Sequence, residues 1–353
     1  MKSVVINAGG SISVEEKAMP QIESADDVLV KVCCSGLCGS DIPRIFHNGS
    51  HFYPITLGHE FSGTVQEMGA DITDLKQGDL VSCVPLIPCF KCPECERQLW
   101  SQCKNYQFIG SRIQGGNCEY IVVPRKNLFL LPAGTTPTEG AFFEPMTVGL
   151  HAMELAGGVE GKEVIIIGAG TIGLLAMQCA AALGAKSVTA IDINPERLEL
   201  SKKIGATCTY NSAEMSAEEI GNALNERRFD QLVLETAGNP VTVQLAIQIA
   251  GPHAQIGLIG TLHNDLTLPE KTFGFILRKE LRLLGSWMNY SGEWPGVEWK
   301  QATQLFKDGK IDLASLIAVQ GNTDVYVDTV TALNGKPMNG KIMLDFTISI
   351  PEV

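Results

Sequence analysis

Positive charge is scarce in this sequence: Lys and Arg number 27 against 39 Asp and Glu, a formal net charge of −12. A surface of that sign repels phosphate backbones and argues against general nucleic-acid binding. Charge of either sign is thin at 19%, whereas 45% of residues are hydrophobic, which excludes a disordered chain and predicts a sizeable packed core. Internal repeats and low-complexity tracts are absent. The opening MKSVVINAGG has no signal-peptide apolar region, so the expectation is a cytoplasmic protein with reduced thiols. One stretch, residues 164–185, runs 22 residues without a charge. Gly168, Gly170 and Gly173 interrupt it after a β-branched run, and Gln178 sits midway. It therefore reads as strand, glycine turn and buried helix, and no membrane partner is expected.

A length of 353 residues exceeds one typical domain. The first 155 or so residues read as short strands, with candidates at 28–33, 63–67 and 80–85 and no long amphipathic helix, so this part is mainly β. From Lys162 strands and helices alternate. Strand candidates are 163–167, 187–192, 207–210, 231–235, 254–259 and 281–286; helical segments fit at 171–183, 195–203, 216–227 and 240–250. The α/β alternation predicts a doubly wound parallel sheet. After Gly285 the pattern is irregular around Trp287, Tyr290, Trp294 and Trp299, followed by a helix near 298–308 and strand-like alternation over 341–350. The expected division is 1–150 together with 290–353 as one domain and 151–289 as the other.

Gly168-Ala169-Gly170-Thr171-Ile172-Gly173 follows a strand and opens a helix, the context a dinucleotide site requires. The first glycine permits the turn, the second lets backbone approach a pyrophosphate, and the third lets helix pack on strand. The helix N-terminus then offers free N–H groups to the phosphates. Asp192 ends the next strand, 19 residues past Gly173, where a carboxylate can accept bonds from both adenosine ribose hydroxyls. It would repel a 2′-phosphate, so NAD is expected over NADP, with Arg197 close enough to soften that preference.

Eleven cysteines are many for this length. Cys89, Cys92, Cys95 and Cys103 follow C-x2-C-x2-C-x7-C, which matches a closed tetrahedral zinc site that contributes folding energy. Two disulfides are disfavoured by a reducing compartment, and an iron–sulfur cluster takes the same four thiolates. A second set is dispersed: Cys38, the His59-Glu60 pair and Glu144. One thiolate, one imidazole and one carboxylate make a catalytic-type zinc site with an open position.

Gly58-His59-Glu60-x2-Gly63-x5-Gly69-x2-Ile72 resembles the signature of the zinc-containing medium-chain alcohol and polyol dehydrogenases. The four-cysteine loop and the glycine turn fall in that family's order, so the resemblance covers essentially the whole chain. It implies a GroES-like mainly-β catalytic domain interrupted by a Rossmann cofactor domain, with NAD and two zinc ions per subunit. It implies Cys38, His59 and Glu144 as ligands of the catalytic zinc. In some relatives the residue after the ligand histidine binds instead, so Glu60 and Glu144 can exchange roles. Asp41 would orient His59, and Ser40 would take the proton of the substrate hydroxyl. Thr236, Thr261 and Ser286 lie where the family holds the nicotinamide.

Stretches such as SGLCGSD, YPITLGHEFSG, PCFKCPEC and GSWMNYS point to the polyol branch and imply a polyol phosphate substrate, with Tyr290 and Trp294 near it. The runner-up is a sorbitol-, threonine- or butanediol-type enzyme acting on an unphosphorylated secondary alcohol. Many relatives carry a proton-relay histidine where this chain has Pro43, leaving His47, Glu60 or water for that task. Arg44 beside it is the candidate for the substrate phosphate, because a guanidinium fork fits phosphate oxygens; Arg112 is a second. A homo-oligomer, with a dimer favoured, is expected through the strand 281–286.

Overall fold

The computed structural model describes residues 1–224 and 230–348, which divide into two compact units. The first comprises Met1–Glu144, Gly292–Trp299 and Leu313–Val353; the second comprises Pro145–Ser291 and Lys300–Asp312. The helix Val297–Lys307 is thus shared, and its last turns leave the first unit.

The first unit is built on a seven-stranded sheet. Its longest strand, Asp27–Gly36, pairs antiparallel with Glu60–Met68, Tyr120–Pro124 and Lys341–Asp345, so the tail of the chain does return to the first unit. Val28, Val30, Val32, Phe61, Val65, Val81 and Ile109 pack into one core beneath it. Lys341–Asp345 pairs parallel with Ile317–Gly321. The short helix Asp41–Phe46 follows the end of the long strand, and its Ile42 and Ile45 are buried with Leu37, Ile55 and Tyr326.

The second unit is a six-stranded, all-parallel sheet. Its spatial order is Cys208–Asn211, Ser187–Asp192, Glu163–Ile167, Gln231–Glu235, Gln255–Leu258 and Arg282–Gly285. The central strand Glu163–Ile167 is buried at every residue, as expected of a strand covered by helices on both faces. The chain reverses its direction of winding beside that strand, so the carboxyl ends of Glu163–Ile167 and Gln231–Glu235 border the crevice where such sheets bind ligands. Three helices depart from the sequence expectations: Phe143–Leu155, Glu270–Arg278 and Thr323–Leu333. The predicted helix over 216–227 is observed as Ala217–Ala223, and its last predicted residues, 225–227, lie outside the described residues. Among the described residues no helix is long and apolar enough to cross a membrane.

Candidate active site

The four clustered cysteines are brought together by the chain between two short strands, Leu86–Ile87 and Gln107–Phe108, which pair with each other. A single helical turn, Pro93–Glu96, and left-handed residues at Phe90 (φ 56°) and Gln98 (φ 60°) fold the loop back on itself. The sulfurs of Cys89, Cys92, Cys95 and Cys103 all lie within 4.8 Å of one another. The Cys89 N–H donates to Cys103 Sγ at 3.3 Å, and Cys92 and Cys95 Sγ are 3.4 Å apart. The Lys91 backbone N–H pulls the Cys89 thiol down to about 7, whereas burial pushes Cys95 up to about 12. None of the eleven cysteines is joined in a disulfide in this structure. Four sulfurs at this spacing suit a tetrahedral metal.

Aromatic rings wall this lobe. Trp294 meets Phe90 and Trp100 edge-on at 5.2 and 5.6 Å, and its Nε1 donates to the Lys126 carbonyl at 2.7 Å. The structure thus gives Trp294, expected near the substrate, a packing position on the cysteine lobe. Tyr290 is buried.

The dispersed set assembles for a different reason. Strand pairing puts Glu60 directly opposite Gly36, two residues before Cys38, and His59 precedes Glu60. The donor atoms of Cys38, His59 and Glu60 all lie within 4.8 Å of one another. A side chain at Gly36 would strike both Glu60 Oε2 (2.7 Å) and Lys341 Cε (2.6 Å), so glycine there keeps room for that pair. Lys341 Nζ hydrogen-bonds Glu60 Oε2, and both side chains are almost fully buried, at 2% and 1% exposure. Sequence reasoning missed Lys341, although a lone cation in the apolar strand KIMLD was the available signal.

Two expectations are corrected. Glu144 does not join the cluster. It is buried in the first turn of the helix Phe143–Leu155, whereas Glu60 sits on the strand next to Cys38. Asp41 does not hydrogen-bond His59: Oδ1 is 3.8 Å from His59 Nδ1, beyond bonding distance. Arg44 competes for that carboxylate, donating to Oδ1 at 3.0 Å. His59 Nδ1 is left buried without a hydrogen bond. Ser40, exposed, donates to Cys38 Sγ at 3.3 Å and accepts from Arg44 Nη1 at 2.9 Å. His47 is exposed beside Gly335, and no hydrogen bond links it to Ser40. Burial first, then the charges of Glu60 and Asp41, push the Cys38 thiol far above its ordinary range. A divalent cation is the charge that would reverse this, and the sulfur, imidazole and carboxylate donors fit zinc.

In the second unit the glycine turn has the form a dinucleotide needs. A side chain at Gly173 would overlap the Gly168 carbonyl oxygen (1.9 Å), whereas one at Gly170 would meet nothing within 4 Å. The first requires close packing; the second leaves open the space a pyrophosphate takes, ahead of the helix Thr171–Ala182. Ile172 lies in the first turn of that helix, partly exposed. Asp192 Oδ2 accepts from Ala169 N at 2.6 Å and Oδ1 from Asn194 N at 2.8 Å, fixing the carboxylate beside the turn. Arg197 Nη1 lies 3.8 Å from Asp192. Thr236 Oγ1 donates to the Ile167 and Gly168 carbonyls at 3.0 and 2.7 Å, so it braces the turn. Thr261 is exposed beside Gly238, and Ser286 Oγ is buried without a hydrogen bond at the end of the last strand. Glu235, which sequence reasoning passed over, is fully buried, and its Oε1 accepts from the N–H groups of Ala237 and Gly238 at 2.9 Å each.

Residues 24–133 match the model of the alcohol dehydrogenase GroES-like domain, and residues 171–306 match that of the zinc-binding dehydrogenases. Over 98% of its length the chain is 58% identical to galactitol 1-phosphate 5-dehydrogenase of Escherichia coli K12, covering 99% of that protein. The chain belongs to the zinc-binding alcohol dehydrogenase family. The crystal structure of the E. coli galactitol-1-phosphate dehydrogenase matches this dehydrogenase with a TM-score of 0.96, over 98% of this chain and 100% of the other. A zinc-binding dehydrogenase from Sinorhizobium meliloti, solved bound to NADP, matches at 0.87 and 31% identity, over 98% of each chain. D-xylulose reductase A of Aspergillus oryzae is 32% identical, over 89% of this dehydrogenase and 88% of its own length.

Proposed function

We propose that this dehydrogenase oxidises the C5 hydroxyl of galactitol 1-phosphate to L-tagatose 6-phosphate with NAD as hydride acceptor. The 58% identity across 98% of the chain to galactitol 1-phosphate 5-dehydrogenase carries this reading. Cys38, His59 and Glu60 would hold a catalytic zinc; Cys89, Cys92, Cys95 and Cys103 would hold a structural one. The observed clustering favours Glu60 over Glu144 as third donor, with Glu144 next in line. Bound there, zinc supplies a positive charge that polarises the substrate alcohol and makes its alkoxide accessible near neutral pH.

The chain's own residues do the rest. Lys341 holds one oxygen of Glu60, so only part of that carboxylate is committed to a metal. Ser40, one hydrogen bond from Cys38, can accept the hydroxyl proton while releasing its own. Because Ser40 is exposed, its proton can pass directly to water, and Pro43 in place of a relay histidine costs no step. Gly170 and the helix behind it would seat the pyrophosphate of NAD, whose nicotinamide takes the hydride, with Asp192 on the adenosine ribose. Asp192 favours NAD over NADP. Thr261 and Ser286, at the carboxyl ends of the later strands, would face the nicotinamide half.

Leu283 on the edge strand Arg282–Gly285, with Phe273 and Leu277 on the nearby helix, is exposed and apolar, which supports a homo-oligomer formed along this edge. No nucleic-acid or membrane partner is proposed. The test is NADH formation on a panel of polyols and polyol phosphates with zinc content measured in the same sample. Highest kcat/KM on galactitol 1-phosphate supports the reading; a preference for sorbitol, threonine or butanediol overturns it.

A further inference from the structure

A phosphorylated substrate must find its counter-charge locally, because the chain as a whole carries −12. Two arginines and a histidine, from three short segments, bear on this question. Arg44, on the helix Asp41–Phe46, spends Nη1 on Ser40 O, Ser40 Oγ and Asp41 Oδ1 at 2.9 to 3.0 Å. The other two nitrogens of its fork make no hydrogen bond among the described residues. Arg112 is exposed, forms no ion pair among the described residues, and lies over the Tyr106 ring at 4.5 Å with Nη2 donating to the Tyr106 hydroxyl at 3.2 Å. His51 sits on the exposed loop between them.

The backbone fixes these three relative to the zinc ligands. The Arg112 turn is bonded to the segment that carries His59: Gly115 N donates to Thr56 O at 2.7 Å, and Gly116 N donates to Gly58 O at 2.8 Å. Phe108 in the same segment sets its ring edge against His59 at 5.6 Å. The His51 loop is tied to the Arg44 helix by Gly49 N to Pro43 O at 3.1 Å and by the Tyr53 hydroxyl to Arg44 O at 2.7 Å. It is tied to the Arg112 side by Gln114 Nε2 to Pro54 O at 3.3 Å. Desolvation, then the charges of Arg112 and Arg44, hold the His51 imidazole below its ordinary range, so it stands neutral beside the two guanidiniums and would gain its proton when an anion joins them. Asp41 is the carboxylate bonded within the group: its Oδ1 accepts from Arg44 at 3.0 Å and its Oδ2 from the Cys38 N–H at 3.4 Å. Two guanidiniums with spare donors beside an imidazole make a setting that an anion suits.

We propose that Arg44, His51 and Arg112 form the subsite for the substrate's phosphate monoester, and that Arg44 joins this subsite to Ser40. The proposal rests on the polyol-phosphate reading above. Chain geometry agrees: in an extended polyol the phosphorus lies roughly 7 Å from the C5 oxygen by standard bond lengths. Ser40 is one hydrogen bond from Cys38 at 3.3 Å, and Arg44 is one more from Ser40 at 2.9 Å, a separation of the same order. Arg44 therefore both binds the phosphate and positions Ser40, whereas Arg112 and His51 act on the phosphate alone.

The experiment measures kcat/KM on galactitol 1-phosphate and on galactitol for wild type, Arg112→Gln and His51→Asn, together with inhibition by inorganic phosphate. The ratio of phosphorylated to unphosphorylated kcat/KM is expected to fall by about 10–100-fold in Arg112→Gln, mostly through KM, and by about 5-fold in His51→Asn. Arg112→Lys should recover part of the loss. The inhibition constant of inorganic phosphate should rise by a similar factor. If wild type prefers galactitol, the functional reading fails. If wild type prefers the phosphate ester but neither that ratio nor the phosphate inhibition constant moves in the two variants, the subsite alone is overturned. Equal losses on both substrates overturn it as well.

Discussion

The first unit contains two clusters of metal-ligand side chains, made by opposite strategies. The cysteine lobe draws its four sulfurs from one short loop, closed by local turns, and leaves no donor position for a substrate. The Cys38, His59 and Glu60 cluster draws its groups from the ends of two paired strands, mixes sulfur, nitrogen and oxygen donors, and abuts exposed Ser40. A closed all-sulfur shell puts the metal's binding energy into folding; an open mixed shell spends stability on burying ionisable groups that chemistry then uses. The buried Lys341–Glu60 pair marks that cost, because each charge is tolerated only through the other.

The comparison breaks most visibly if the two sites can be emptied with the same result. Cys38→Ala should cut kcat by on the order of 10³-fold or more while the thermal midpoint of unfolding stays within a few degrees. A chelator that strips only the open site should reproduce this loss before any unfolding, seen by activity and circular dichroism on one sample. Cys95→Ala should do the reverse, lowering stability by about 4 kcal/mol or more in denaturant titration, with activity falling only as the fold is lost.

Lys341→Met sharpens the contrast from the protein side. Leaving Glu60 buried and unpaired should cost about 3–5 kcal/mol of unfolding free energy, and Lys341→Met combined with Glu60→Gln should recover much of it. In the second unit, Asp192→Ala should raise KM for NAD by roughly 10-fold or more and narrow the preference over NADP, because the carboxylate fixes the Ala169 amide and is the group proposed to hold the ribose.

The smallest effect is one of reactivity. In metal-free protein Cys89, drawn down to about 7 by the Lys91 N–H, is half thiolate near neutral pH, whereas Cys95, pushed up by burial to about 12, remains a thiol. Alkylation of Cys89 should therefore rise as pH climbs through 7 and precede that of Cys95, and bound zinc should suppress both. Peptide mapping reads this directly.

The two clusters also differ in how plainly the sequence declared them. Four cysteines at tight spacing carry their geometry in the spacing, so the lobe was legible residue by residue. The open cluster was not: Cys38 and His59 are 21 positions apart, and only strand pairing shows that Glu60 reaches them while Glu144 stays apart. The choice between those carboxylates depends on register, which no local pattern encodes. Elements followed the same rule. The strands Glu163–Ile167, Ser187–Asp192 and Gln231–Glu235 match the expected ranges because glycines and polar residues bracket dense β-branched runs. The helix Phe143–Leu155 escaped notice because most of its residues are buried, which erases amphipathic periodicity. The helix Glu270–Arg278 turns Phe273 and Leu277 outward while Phe275 and Ile276 pack on the core, so its apolar residues are split between two faces. Trp294 drew attention as a residue near the substrate, and the structure packs its ring on the cysteine lobe.

Zinc counted per chain in wild type, Cys38→Ala and Cys95→Ala, with galactitol 1-phosphate oxidation measured on the same preparations, bears most directly on the division between a closed folding site and an open catalytic one. Two zinc ions in wild type, and one in an otherwise folded but inactive Cys38→Ala, are the predicted result. Two zinc ions retained in Cys38→Ala, or activity surviving there, would contradict it.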